Sequence, residues 1–159
     1  TAKEIPKLLK RFARYDPEGQ NGGITLQQFL DIPEISTNQI MPEVASAYLE
    51  RRSNKLTSKS FISILSRMSP HNSLDDKKQF AFQLLDSDND GYLSYSELFS
   101  LFRMVTGPAM TDDHVLGIIT SILSRSDLQQ ATRLTFEEFT NVVSDEEIEE
   151  LFTVELQLQ

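Results

Sequence analysis

Four carboxylates recur at short spacing within one twelve-residue stretch, residues 86–97. Asp86, Asp88 and Asp90 occupy alternate positions, and Glu97 closes the stretch. Carboxylates crowded this closely repel one another unless a cation lies among them. Calcium is a hard cation that takes about six to eight oxygen ligands, and carboxylates are among its usual donors. The spacing therefore predicts a calcium site, and an acidic surface turn is the alternative interpretation.

The stretch also matches the loop of an EF-hand, which binds calcium through positions 1, 3, 5, 7, 9 and 12 and has glycine at position 6. Gly91 fills position 6, where the chain turns sharply and a Cβ atom would be strained. Tyr92 would contribute its backbone carbonyl, and Ser94 would reach the ion through a water molecule. The predicted metal ligands are Asp86, Asp88, Asp90, Tyr92, Ser94 and Glu97.

An EF-hand loop has to lie between two helices, and the flanking sequence predicts both. Apolar residues recur at helical spacing before the loop and again after it. The entering helix carries Phe80, Ala81, Leu84 and Leu85, and the exit helix carries Leu98, Leu101, Phe102 and Val105.

Three further segments repeat the helix–loop–helix pattern, so that loops begin at residues 17, 49, 86 and 127. Position 8 is aliphatic in every repeat: Ile24, Leu56, Leu93 and Leu134. EF-hands pair through a short antiparallel bridge at this position. The predicted fold is therefore all-α, with four EF-hand units paired into two lobes and short two-stranded β bridges between the paired loops.

A break at residues 69–73, rich in Ser, Pro and Asn, divides the predicted lobes. Residues 1–69 would form an N-terminal lobe from the first two hands. Residues 70–159 would form a C-terminal lobe from the last two hands and an acidic C-terminal segment.

The first two loops keep their packing residues but lose their ligands. Pro17 stands at position 1 of the first loop, and Gln28 at position 12 has no charge. In the second loop Arg51 and Lys55 lie at or beside ligand positions, where they would repel a cation. Asn54 takes the glycine position there, and asparagine tolerates the left-handed backbone. We expect neither loop to bind calcium.

The fourth loop is degraded less far. It keeps Asp127 at position 1 and Glu138 at position 12, but Gln129, Ala131 and Thr132 stand at positions 3, 5 and 6. Two carboxylates in place of four predict weak binding or none at Asp127–Glu138. One strong calcium site is therefore expected in the chain.

Charge is distributed unevenly along the chain, whose formal net charge is −9. Residues 1–72 hold 10 basic and 7 acidic side chains, whereas residues 73–159 hold 5 and 17. An acidic C-terminal half argues against nucleic acid as a partner. It suits cation binding and a basic protein partner.

The sequence shows no sign of catalysis or of export. It has no phosphate-binding glycine motif, and it has no cysteine that could act as a nucleophile or form a disulfide. No apolar run is long enough to span a membrane. We expect a non-catalytic, cytoplasmic protein. The first residue is Thr1, so membrane association through an N-terminal lipid stays open.

The chain resembles the regulatory B subunit of calcineurin in several short sequence motifs and in the widening intervals between its loops, which are 32, 37 and 41 residues. The resemblance covers nearly the whole chain. The motifs are Lys10-Arg-Phe12, Phe29 followed by Pro33-Glu34, Phe80-Ala-Phe82, Asp90-Gly-Tyr92, Glu97-Leu-Phe99 and Phe136-Glu-Glu-Phe139.

The resemblance implies a regulatory calcineurin B chain without an active site. Such a chain wraps an amphipathic helix of the catalytic A subunit, a metal-dependent Ser/Thr phosphatase, in a groove across both lobes, and calcium binding confers regulation. Two alternatives remain. A calcineurin B homologous adaptor would bind the tail of a membrane exchanger, and a calcium buffer would need no partner, although a buffer gains from several working loops.

Overall fold

The computed structural model describes residues 2–125, 127–130 and 132–158. This part of the chain contains ten α-helices and two small antiparallel sheets, which confirms the predicted EF-hand architecture. The helices are α1 (Ile5–Phe12), α2 (Leu26–Leu30), α3 (Pro33–Ser36), α4 (Met41–Ala47), α5 (Ser58–Arg67), α6 (Leu74–Leu85), α7 (Tyr95–Thr106), α8 (Asp112–Leu123), α9 (Phe136–Val142) and α10 (Asp145–Leu151). The strands are β1 (Ile24–Thr25), β2 (Lys55–Leu56), β3 (Leu93–Ser94) and β4 (Arg133–Leu134).

The loops pair as the aliphatic residues at position 8 predict. β1 pairs with β2 so that Ile24 lies opposite Leu56, and β3 pairs with β4 so that Leu93 lies opposite Leu134. All four side chains are fully buried. A shift of one residue would turn each of them out of the core, so their burial holds the register of both bridges.

Each of the four strands leads directly into a helix, and the starts of these four helices are capped in the same way. The position-9 side chain is the N-cap and accepts a hydrogen bond from the backbone N–H at position 12; the pairs are Thr25–Gln28, Thr57–Ser60, Ser94–Glu97 and Thr135–Glu138. Gln28, Glu97 and Glu138 return a bond to the N-cap N–H. Such caps stabilise a helix by about 0.5–2 kcal/mol, which is a reason for a hand without ligands to keep them.

The chain divides into two compact units, Thr1–Ser73 together with Leu151–Gln159, and Leu74–Glu150. In the first unit, Phe61 meets Phe12 and Phe29 edge-on, with ring centroids 5.3 and 6.0 Å apart. In the second unit, Phe82 meets Phe136 and Phe139 edge-on at 5.5 and 5.7 Å. The lobe boundaries expected at residues 1–69 and 70–159 stay a prediction.

The C-terminal segment packs within the first unit. Phe152, Val154 and Leu156 are buried there, and the Val154 N–H donates to the Met68 carbonyl at 2.8 Å. The Arg11 guanidinium also donates to the Gln157 carbonyl at 3.3 Å. Alternate side chains are buried, as in an extended strand with one apolar face.

Two ion pairs join α10 to α6 inside the second unit. Lys77 is fully buried, and its Nζ lies 3.1 Å from Glu149 Oε2. Lys78 Nζ lies 2.6 Å from Asp145 Oδ1 at the start of α10. None of the described helices combines the length and the apolar character needed to cross a bilayer.

Candidate metal centre

Asp86 anchors the loop between α6 and α7. It directly follows α6, is 7% exposed, and its carboxylate accepts backbone N–H groups from Asp90 at 3.1 Å and Gly91 at 3.0 Å. The loop is therefore folded back around this carboxylate. Two residues supply the left-handed turns that folding back requires, Asn89 with φ +55° and Gly91 with φ +81°.

The other two aspartates are ordered by the same backbone. Asp88 Oδ1 accepts the Asp90 N–H at 3.2 Å, and Asp90 Oδ1 accepts the Tyr92 N–H at 2.9 Å. Both side chains lie toward solvent. The bonds hold the carboxylates at fixed places along the loop while their remaining lone pairs stay available to a cation.

Glu97 closes the loop from the first turn of α7. One carboxylate oxygen accepts the backbone N–H and the hydroxyl of Ser87, each at 2.9 Å, and the other accepts the Ser94 N–H at 2.8 Å. Burial raises the pKa of Glu97, but these hydrogen bonds outweigh burial and hold its pKa below the usual value. Glu97 is therefore ionised at neutral pH.

Oxygen atoms of Asp86, Asp88 and Glu97 lie within 4.8 Å of one another, which is compatible with a shared ion. All these donors are hard oxygens, and the residues therefore fit calcium. Asp90, Tyr92 and Ser94 lie on the same loop, and the six-residue ligand set proposed from the sequence stays a prediction.

The fourth loop uses its acidic residues differently. Both oxygens of Asp127 accept bonds from the Arg125 guanidinium, at 3.0 and 2.8 Å, and this contact lowers the Asp127 pKa. The Glu138 carboxylate accepts the Gln129 N–H at 2.6 Å and the Thr135 N–H at 2.8 Å. Ala131, predicted at position 5, lies outside the described residues. A cation would have to compete with Arg125, whose role the ligand pattern did not indicate.

The first loop is folded around a residue that the twelve-residue frame of the repeats left out, Asp16. Asp16, and not Pro17, does what Asp86 does: it is 3% exposed and accepts the N–H groups of Asn21 at 2.9 Å and Gly23 at 2.8 Å. The length of this loop was the signal that could have identified Asp16, because the stretch from Asp16 to Gln28 is one residue longer than the twelve-residue frame. Its carboxylate is used to fold the loop.

The second loop confirms the assignment of Asn54 to the glycine position. Asn54 adopts φ +55°, in the left-handed region. Its N–H donates to the Glu50 carbonyl at 2.8 Å, and the Glu50 N–H donates to the Lys55 carbonyl at 2.9 Å. Backbone bonds close this loop.

Comparison with known proteins agrees with this geometry. Residues 75–144, which span α6 to α9, match the family described as an EF-hand domain pair. The chain is 35% identical to the calcineurin B subunit of Naegleria gruberi over 156 residues, which is 98% of this chain and 88% of that protein. It is 30% identical to the type 1 calcineurin B subunit of Dictyostelium discoideum over 95% of this chain and 84% of that protein. It is also 30% identical to the calcineurin B subunit of Schizosaccharomyces pombe, over 96% and 87%.

Proposed function

The chain belongs to the calcineurin B family of EF-hand calcium-binding proteins, and we propose that it is the calcium-binding regulatory subunit of a Ser/Thr phosphatase. The observation that carries the calcium role is the convergence of Asp86, Asp88 and Glu97 within 4.8 Å. The partner role rests on the relatives, which are named as the B subunits of calcineurin.

The ligands proposed for the ion are the carboxylates of Asp86, Asp88, Asp90 and Glu97, the Tyr92 carbonyl, and Ser94 through water. Bound calcium would supply positive charge among these oxygens and no redox chemistry. Asp86 directly follows the entering helix α6, and Glu97 lies in the first turn of the exit helix α7. An ion bound by both residues would therefore connect the end of α6 to the start of α7.

The proposed partner is an amphipathic helix of a catalytic A subunit. The packing supports an architectural role for the hands that lack ligands, because their position-8 residues and caps are intact. Some large apolar side chains are partly exposed and would be available to such a partner: Ile5, Leu9, Tyr95, Met110 and Phe136. We infer no catalytic role for the chain, and its cytoplasmic location stays a proposal.

Calorimetry and affinity purification test the two parts separately. Titration with calcium should show one strong site, with a dissociation constant on the order of 10⁻⁷ to 10⁻⁵ M. Purification of the tagged chain from its own cells should recover a phosphatase catalytic subunit. Recovery of a membrane exchanger would overturn the phosphatase assignment in favour of the adaptor, and recovery of no partner would favour a buffer. Two or more strong sites would refute the assignment of the loops.

A further inference from the structure

A basic side chain of the fourth hand lies against the calcium loop of the third hand. Arg133 Nη1 is 3.6 Å from Asp90 Oδ2, and the guanidinium carbon lies 3.8 Å from the centre of the Tyr92 ring. Its Nε donates to the Gln130 side chain. Arg133 therefore contacts two residues that are proposed as calcium ligands, although it belongs to a loop that has lost most of its own.

The β bridge determines this contact. Arg133 lies directly opposite Ser94 in the β3–β4 pair, next to the fully buried Leu93–Leu134 pair. The buried leucines prevent a change of register, so the arginine cannot slide along the loop. Contact with the face of Tyr92 further restricts the guanidinium by a cation–π interaction.

The first unit has the same arrangement. Lys55 stands at the corresponding position of the second hand, lies opposite Thr25, and its Nζ donates to the Asn21 carbonyl at 2.6 Å. In each unit, the second loop of the pair thus places a cationic side chain on the first loop. The loop of the first hand, which Lys55 contacts, lacks calcium ligands, whereas the loop of the third hand, which Arg133 contacts, has the proposed ligands.

We propose that Arg133 lowers the calcium affinity of the third hand. This inference rests on the proposed calcium site. The guanidinium neutralises part of the charge of Asp90 when calcium is absent, and it repels a divalent cation at the same carboxylates. Arg133 and Asp90 are 35% and 39% exposed, so solvent screens the effect and limits it to a modest factor. The fourth hand thereby tunes the third without binding calcium.

Substitution of the arginine tests the proposal by calcium titration and by thermal unfolding in EDTA. Arg133→Gln should bind calcium about threefold to tenfold more tightly at low ionic strength, and the gain should shrink in about 1 M salt. The same variant should melt at a lower temperature than the parent protein in EDTA, because the calcium-free loop loses the guanidinium that neutralises part of the charge of Asp90. Arg133→Lys, which retains the charge, should stay near the parent affinity.

Arg125→Gln is the matched control, since Arg125 pairs with Asp127 in the fourth loop rather than with the third. It should leave the affinity of the strong site unchanged. If the parent protein binds calcium and a folded Arg133→Gln variant binds it equally or less tightly, the inference about Arg133 is overturned and the proposed calcium site is not. Should Arg133→Gln not fold, a Lys variant that binds tenfold more tightly would equally overturn a role for the charge. A parent protein that binds no calcium would overturn the proposed site and this inference with it.

Discussion

The backbone N–H of Ser94 donates to Glu97 Oε2 at 2.8 Å, and the Glu97 N–H donates back to the Ser94 hydroxyl at 3.4 Å. Glu97 therefore caps α7 and also belongs to the carboxylate cluster with Asp86 and Asp88. Gln28 makes the same return bond to the Thr25 N–H at 2.9 Å. Because a neutral amide suffices for capping, the two roles of Glu97 can be separated by experiment.

Glu97→Gln should abolish strong calcium binding and leave the helix intact. The amide oxygen of glutamine can accept the Ser94 N–H, but the variant loses a charge and a bidentate ligand. We expect calcium affinity to fall by about 100-fold or more. The free energy of unfolding in EDTA should fall by about 1–3 kcal/mol, because the glutamine NH2 would face the Ser87 N–H that Glu97 Oε1 accepts. Calorimetry and urea unfolding measure the two quantities. Glu138→Gln is the control, and strong calcium binding that survives Glu97→Gln would contradict the site.

Gly91→Ala should destabilise the calcium loop through its backbone. Gly91 has φ +81°, and a Cβ atom there would meet no other atom within 4 Å, so the cost is conformational. We expect a loss of about 1–2 kcal/mol in the free energy of unfolding. Gly117→Ala lies on an exposed part of α8 and should instead stabilise the protein by up to about 1 kcal/mol. Equal effects of the two substitutions in urea would refute the argument.

Gly23→Ala should cost more, because strain and a steric clash combine there. Gly23 has φ +124°, and an added Cβ atom would lie 2.5 Å from the backbone carbonyl oxygen of Leu56 in the facing strand. Relief requires the β1–β2 bridge to open, and we expect a loss of more than about 2 kcal/mol. The neighbouring Gly22 has φ +68° but open space around it, so Gly22→Ala separates strain from the clash. Similar unfolding midpoints for the two variants would exclude the clash.

Phe152→Ala should destabilise the first unit. Phe152 is 1% exposed and begins the C-terminal segment that packs there. Removal of a buried phenylalanine costs about 3–5 kcal/mol, because a cavity remains. Glu155→Ala, on the exposed side of the same segment, should change the stability by less than about 0.5 kcal/mol. A loss below about 1 kcal/mol for Phe152→Ala in urea unfolding would show that the segment is not packed in solution.

Much of the candidate site was predictable because its determinants are local. Ligand spacing in residues 86–97, the glycine turn and the caps all act over at most twelve consecutive residues. The first loop shows where local reasoning failed. A fixed twelve-residue frame excluded Asp16, whereas the backbone N–H groups of Asn21 and Gly23 select it. Loop length alone does not say which carboxylate the turn will fold around.

The sequence by itself determined the four hands, their pairing and the single complete set of ligand types, since periodicity and short spacing specify these features. The tertiary structure alone decided which distant side chains meet. Arg133 reaches Asp90 through the bridge, and Val154 bonds Met68 across 86 residues of sequence. Such contacts depend on register and on the direction in which the chain returns. Those properties follow from the sum of the buried apolar surface of a unit and not from any one segment.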